Sequence, residues 1–180
     1  HIGYMNRTGS IFGLAYLAKV LPHLKRELGD RPYEVHIIGK GSVPSVLRDA
    51  FSPDNHVVIR GYVDNLDTEI EQADVMCLMN NAGPYLAAYT RHLVAWSNAL
   101  CLVAHSRSQH AIPEIQHEVN ALLSADPAEH ARLIRQAVTD PQLNSTIRQN
   151  GYETFLKYFQ PQTVADEVVT LVNNLTSGGR

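Results

Sequence analysis

Short apolar runs alternate along the chain with longer segments in which apolar residues recur every three or four positions. The runs at 2–5, 33–38, 56–60, 75–79, 100–104 and 120–123 hold few turn-formers. That is the pattern of strands covered on both faces. After the first run, Leu14, Leu17, Ala18, Leu21, Leu24 and Leu28 fall on one side of a helix. Gly29-Asp30 ends it, and Pro22 inside it predicts a kink or a break. Shorter helices are expected over 43–51 and 66–73, another carrying Leu86, Leu93, Trp96 and Ala99, and one helical turn over 112–115. Asp126-Pro127-Ala128-Glu129 places a capping Asp, a Pro at the first helical position and a Glu at the third. Asp140-Pro141 repeats this start, and Pro161 opens a last helix with Val164, Val168, Leu171, Val172 and Leu175 on its apolar side. The alternation predicts an α/β fold, a Rossmann-like doubly wound parallel sheet of about six strands with C-terminal helices. One domain is expected over 1–176, with 177–180 a tail. The chain opens on a strand without a methionine, which suggests a fragment of a longer protein.

The segment 74–105 carries the most chemistry. It reads as strand, Gly83-Pro84 loop, helix and strand, a unit that puts a loop and a helix start at the carboxyl edge of the sheet, where ligands usually bind. Tyr89, Thr90 and Arg91 together offer backbone N–H groups, a hydroxyl and a guanidinium, a set suited to a diphosphate. An ordinary βαβ unit with a surface arginine is the plain alternative.

Charge and composition narrow the choices. A net charge of −3 with no basic stripe argues against nucleic-acid binding or a bulk anionic membrane surface. No apolar stretch is long enough to cross a bilayer. Cys77 and Cys101 fall in apolar strands and read as reduced core residues, which points to the cytoplasm. Nine histidines are scattered without an HxxxH or HExxH spacing, so no metal site and no cofactor are expected.

Four places in order resemble the C-terminal, donor-binding half of a GT-B glycosyltransferase of the group 1 (retaining) type. They are Ile2-Gly3-Tyr4 with its polar loop and long helix, and His36-Ile37-Ile38-Gly39-Lys40-Gly41. Then come Val58-Ile59-Arg60-Gly61-Tyr62-Val63 with Ala73-Asp74-Val75, and Pro113-Glu114-Ile115 with Val119-Asn120-Ala121-Leu122-Leu123. The similarity runs over nearly the whole chain. It implies a nucleotide-diphosphate sugar as substrate, an unknown acceptor, an N-terminal acceptor domain of the same full-length chain, and no obligatory metal. Any peripheral membrane contact would come through that other half. The isolated fragment is expected to be inactive.

Carried onto this sequence, the resemblance makes Asn6, Arg7, Gly39, Lys40, Tyr62, Val63, Tyr85, Tyr89, Thr90, Arg91 and His92 the expected donor-binding residues. Arg7 and Arg91 would meet the diphosphate, Tyr62 would stack on the base, and His92 would reach the sugar or leaving phosphate unless it is simply an exposed helical residue. Trp96 and Glu114 are expected to be structural, Glu114 as a helix-start carboxylate. The family's two glutamates, eight positions apart, fall here at Tyr85 and Leu93, and no acidic residue occurs between Asp74 and Glu114. The family's Lys-Gly in the first loop is replaced by Ser10-Ile11-Phe12-Gly13. Catalytic residues are therefore not assigned. Two other readings share the architecture: a non-catalytic nucleotide-binding or partner-docking module, and a nucleotide-sugar epimerase.

Overall fold

The computed structural model describes residues 1–5, 11–83 and 90–177. Strands β1 (Ile2–Met5), β2 (Val35–Ile38), β3 (Val57–Gly61), β4 (Val75–Leu78), β5 (Cys101–His105) and β6 (Leu122–Ser124) form one sheet. Every pairing is parallel, in the order β3-β2-β1-β4-β5-β6. The helices are α1 (Ile11–Leu28), α2 (Leu66–Glu71), α3 (Thr90–Ser97), α4 (Ser108–Ala111), α5 (Pro127–Thr139), α6 (Pro141–Tyr158) and α7 (Pro161–Ser177). The six-stranded Rossmann-like architecture expected from the alternating pattern is the one observed.

Alternation along the central strands explains why they are almost wholly apolar. Ile2, Tyr4, Val35, Ile37, Val75, Cys77, Cys101 and Val103 share one core with Leu14, Leu17, Leu24 of α1 and Leu133, Ile134 of α5. Met5, Ile38, Met76, Leu78, Leu102 and Ala104 share the other with Ala95 and Trp96 of α3. Successive side chains point to opposite faces, so a strand covered twice has few polar positions, here the buried His36 of β2 and His105 of β5. Both thiols are buried and unbridged, and burial pushes that of Cys101 up to about 12, so they serve as small apolar groups.

The two Asp-Pro starts are helix caps. Asp126 accepts a hydrogen bond from the Glu129 N–H at 2.8 Å, and Asp140 accepts from the N–H groups of Gln142 and Leu143 at 3.0 and 2.9 Å. Each satisfies donors that a helix start leaves unpaired. Replacing Asp140 with Ala should cost about 1 kcal/mol, seen as a lower urea midpoint at unchanged m-value.

Three local expectations are corrected. Residues 43–51 do not form a helix but a single tight turn at Ser45–Leu47, entered from Pro44. Phe51 is 3% exposed, and its burial pins the segment to the core more strongly than its weak helical pattern can organise it. Pro22 does not break α1, which runs through it. A proline removes one donor, and the leucines at 14, 17, 21, 24 and 28, all buried, outweigh that loss. The helical turn expected at 112–115 lies earlier, at Ser108–Ala111, so Glu114 starts no helix.

Toward the C-terminus the apolar side of α7 is exposed, with Val168, Leu171 and Leu175 among its uncovered residues. Among the described residues no helix is long and apolar enough to cross a membrane.

Candidate functional site

The chain leaves β1 toward β2 on one side and reaches β4 on the other, which makes the carboxyl end of β1 the topological switch point of the sheet. A cavity of about 440 Å³ opens there. Met5 and Ile38, the last residues of β1 and β2, form its apolar base with Leu66 of α2 and Val94 of α3. Gly39, Lys40, Tyr62, Val63, Thr90 and Arg91 complete the lining.

Backbone geometry explains why the rim is open. The Gly39 N–H donates to the Gly61 carbonyl at 2.8 Å, tying the ends of β2 and β3 together. Gly61 turns there at φ +67°, a left-handed conformation that side chains disfavour. The turn sends Tyr62 outward at 72% exposure, so its ring is a free surface rather than half-buried core. Asn65 caps α2 by accepting from the Asp67 N–H at 3.1 Å, which fixes the start of the helix that carries Leu66.

Helical periodicity sorts the third wall. Thr90, Arg91 and Val94 face the cavity, while His92, Ala95 and Trp96, about a third of a turn away, are buried. His92 is therefore neither exposed nor part of the cavity. It is fully buried, with Nε2 3.2 Å from the Ser108 hydroxyl. No carboxylate stands among the described lining residues, whereas Lys40 and Arg91 bring two cations. Such a pocket favours an anion, with an exposed aromatic face beside it.

Of the expected residues, Gly39, Lys40, Tyr62, Val63, Thr90 and Arg91 are brought to one cavity. Asn6, Arg7, Tyr85 and Tyr89 lie outside the described residues. Met5, Ile38, Leu66 and Val94 were not expected in the lining. Their strand-end and helix positions read as core, and only the switch-point geometry distinguishes them. Leu93, where the resemblance places a glutamate, packs partly buried against the second core.

The Pro-Glu-Ile … Asn-Ala-Leu-Leu segment proves to be architectural. Asn120 is 3% exposed; its Oδ1 accepts from the Gln116 N–H at 2.8 Å and its Nδ2 donates to the Glu114 carbonyl at 2.9 Å. Nδ2 also reaches Thr154 of α6, and the Asn120 carbonyl accepts from Trp96 Nε1 at 3.0 Å. The Arg107 guanidinium donates to the Gly83 carbonyl, holding the chain where it leaves β4.

A parallel sheet of this order with an anion-suited cavity at its switch point is the arrangement in which open α/β domains commonly bind ligands. Residues 1–140 match the family of group 1 glycosyl transferases, and the chain belongs to that family. No curated protein matches it. Among solved structures it is similar to TarM of S. aureus, crystallised as a point mutant with fondaparinux, alpha-GlcNAc-glycerol and UDP. The TM-score is 0.76 at 16% identity, over 96% of this chain and 35% of that one. HepE of Anabaena in complex with UDP-glucose gives a TM-score of 0.75 at 16% identity, over 96% of this chain and 48% of that one. The C-terminal domain of LpcC, a group 1 family glycosyl transferase from Francisella tularensis, gives 0.67 at 16% identity, over 89% and 86%. These likenesses concern the fold. The chain spans between a third and a half of the length of TarM and HepE.

Proposed function

We propose that this chain is the donor-binding domain of a retaining glycosyltransferase and holds a nucleoside-diphosphate sugar in the cavity at the end of β1. The observation that carries the reading is that Lys40 and Arg91 both line a cavity with no carboxylate among its described lining residues, which the exposed Tyr62 also lines. Arg91 offers a planar fork to the diphosphate and Lys40 a second positive charge. As the glycosyl bond breaks, negative charge grows on the departing diphosphate, and both cations stabilise it without a metal ion. On this reading the Thr90 hydroxyl donates to a phosphate oxygen and Tyr62 stacks on the base. The acceptor domain belongs to the rest of the full-length protein, and the fragment alone does not turn over. The complexes of HepE with UDP-glucose and of TarM with UDP support a uridine nucleotide as the first ligand to try.

A second reading has a specific observation behind it. The acidic side chains that the resemblance would place near the sugar are missing, and one of those positions is the partly buried Leu93. A module that binds the nucleotide without transferring its sugar is compatible with that.

Calorimetric titration with UDP, GDP and their glucose conjugates separates these cases. Binding should prefer one base, and Arg91→Ala should weaken it by about 1.5–3 kcal/mol, the range for a hydrogen bond to a charged group. Equal affinity in wild type and variant would sink the assignment of the cavity. Transfer by the full-length chain, with the product's anomeric configuration read by NMR, decides between enzyme and binding module.

A further inference from the structure

A second group of chemically active side chains lies at the amino edge of the sheet, opposite the donor cavity. β1 and β2 pair with Ile2 beside Val35 and Gly3 beside His36. By strand alternation, His1, Glu34 and His36 then fall on one face at neighbouring positions. Nε2 of His36 is 2.8 Å from Oε2 of Glu34, and Nε2 of His1 is 3.8 Å from the same oxygen. The two imidazoles stack with centroids 4.5 Å apart. One ligand atom from each of the three residues lies within 4.8 Å of the others.

We propose that His1, Glu34 and His36 form a site for a first-row divalent cation of the zinc class, separate from the donor cavity, that staples β1 to β2. Zinc bonds to nitrogen and carboxylate oxygen of about 2.0–2.2 Å in a tetrahedron separate neighbouring ligand atoms by about 3.4 Å, and the observed 2.8 and 3.8 Å bracket that spacing. Two imidazoles and one carboxylate are the donor set such a cation favours over magnesium or calcium.

The group behind the ligands is also in place. Nδ1 of His36 is 3.7 Å from Oε2 of Glu69, a residue of α2 only 8% exposed. Arg60 holds that carboxylate with Nε at 3.0 Å and Nη2 at 2.5 Å from Oε1. At 3.7 Å Glu69 makes no hydrogen bond to Nδ1, but it stands ready to accept the ring proton there once a cation holds Nε2. Without a cation, Nε2 of His36 donates an ordinary hydrogen bond to Oε2 of Glu34, and cation binding at Nε2 moves the single ring proton to Nδ1. The fourth position is left to water, because His1 and Glu34 also line an open cavity of about 550 Å³.

The test is calorimetric titration of metal-stripped protein with Zn²⁺, paired with thermal unfolding and the visible spectrum of the Co²⁺ form. His1 and Glu34 are exposed, so His1→Ala and Glu34→Gln should leave the fold intact by circular dichroism. Wild type is expected to bind one equivalent with micromolar affinity or better, to gain in Tm, and to give the intense absorption of four-coordinate Co²⁺. Each variant should weaken binding at least tenfold and abolish the Tm gain, while His110→Ala on α4 changes neither. A chain lengthened by one alanine ahead of His1 should bind equally well, since the imidazole and not the amine is the ligand. Absence of saturable binding, unchanged affinity in both ligand variants, or loss of binding in the lengthened chain would each overturn the site.

Discussion

Trp96→Ala should lower stability by about 3–5 kcal/mol, the usual cost of truncating a buried aromatic. Trp96 is completely buried, stands 6.0 Å from the Phe159 ring, and donates to the Asn120 carbonyl. Truncation thus opens a cavity and also strips a buried carbonyl of its donor. A domain of this size has a total stability of about 5–15 kcal/mol, so the variant comes near the limit of folding. Trp96→Phe should cost less because it keeps a six-membered ring in the gap, although it loses the hydrogen bond and part of the indole's packing. The contact with α6 is equally tight. A Cβ on Gly151 of α6 would stand 2.6 Å from the indole, so Gly151→Ala should destabilise by about 1–3 kcal/mol through overpacking. Since Trp96 is the single tryptophan, urea unfolding should be followed by circular dichroism. A cost for Trp96→Ala below that of Gly151→Ala would show that α3 and α6 can collapse onto the gap.

The second large effect is a loss of stability in mild acid. His130 on α5 is buried, and its ring meets Tyr16 of α1, with Nδ1 3.3 Å from the hydroxyl, while Nε2 has no partner. Burial lowers its pKa from 6.5 to about 3, reinforced by nearby His105 and opposed by Glu129 and Asp126. Burial, then Arg107, lowers that of His105 as well. A histidine with a depressed folded pKa stabilises the fold fully above its unfolded value. That contribution is lost as the pH falls from 6.5 toward 3, because the unfolded chain takes up the proton first. The slope from one such group is at most about 1.4 kcal/mol per pH unit. Urea midpoints at pH 7, 6, 5 and 4.5 should therefore fall steadily, and His130→Leu should flatten the decline, leaving the part due to His105. Equal slopes in both proteins would show that His130 protonates without opening the fold. The carboxylates of Glu69 and Glu129, held down by hydrogen bonds from Arg60 and Arg132, add their own loss only at lower pH.

Much of the cavity's lining was legible because its residues sit at punctuation marks. Gly39-Lys40 and Gly61-Tyr62 end strands in plain view, and a strand end in a parallel sheet is where ligands gather. Arg91 was readable as a cation in the central segment. His92 was not, because neighbouring helical residues differ in facing by about 100° and only the packing of α3 on the sheet decides which faces inward. The three residues of the proposed cation site were equally beyond local reading. His1 and Glu34 are far apart in the chain, and no spacing rule connects them until β1 pairs with β2.

Local chemistry by itself determined the six strands, the capped helices and the apolar character of both sheet faces. These follow from the alternation of side chains, the missing donor of proline and the capping geometry of aspartate, all of which act within a few residues. The order of the strands, and with it the meeting of Met5, Lys40, Tyr62 and Arg91 around one cavity, was decided only by tertiary structure. So were the fate of Pro22 inside α1, the collapse of 43–51 into a turn, and the burial of Asn120 and His130. In each case contacts between residues distant in sequence outweigh a local preference that amounts to only about 1–3 kcal/mol.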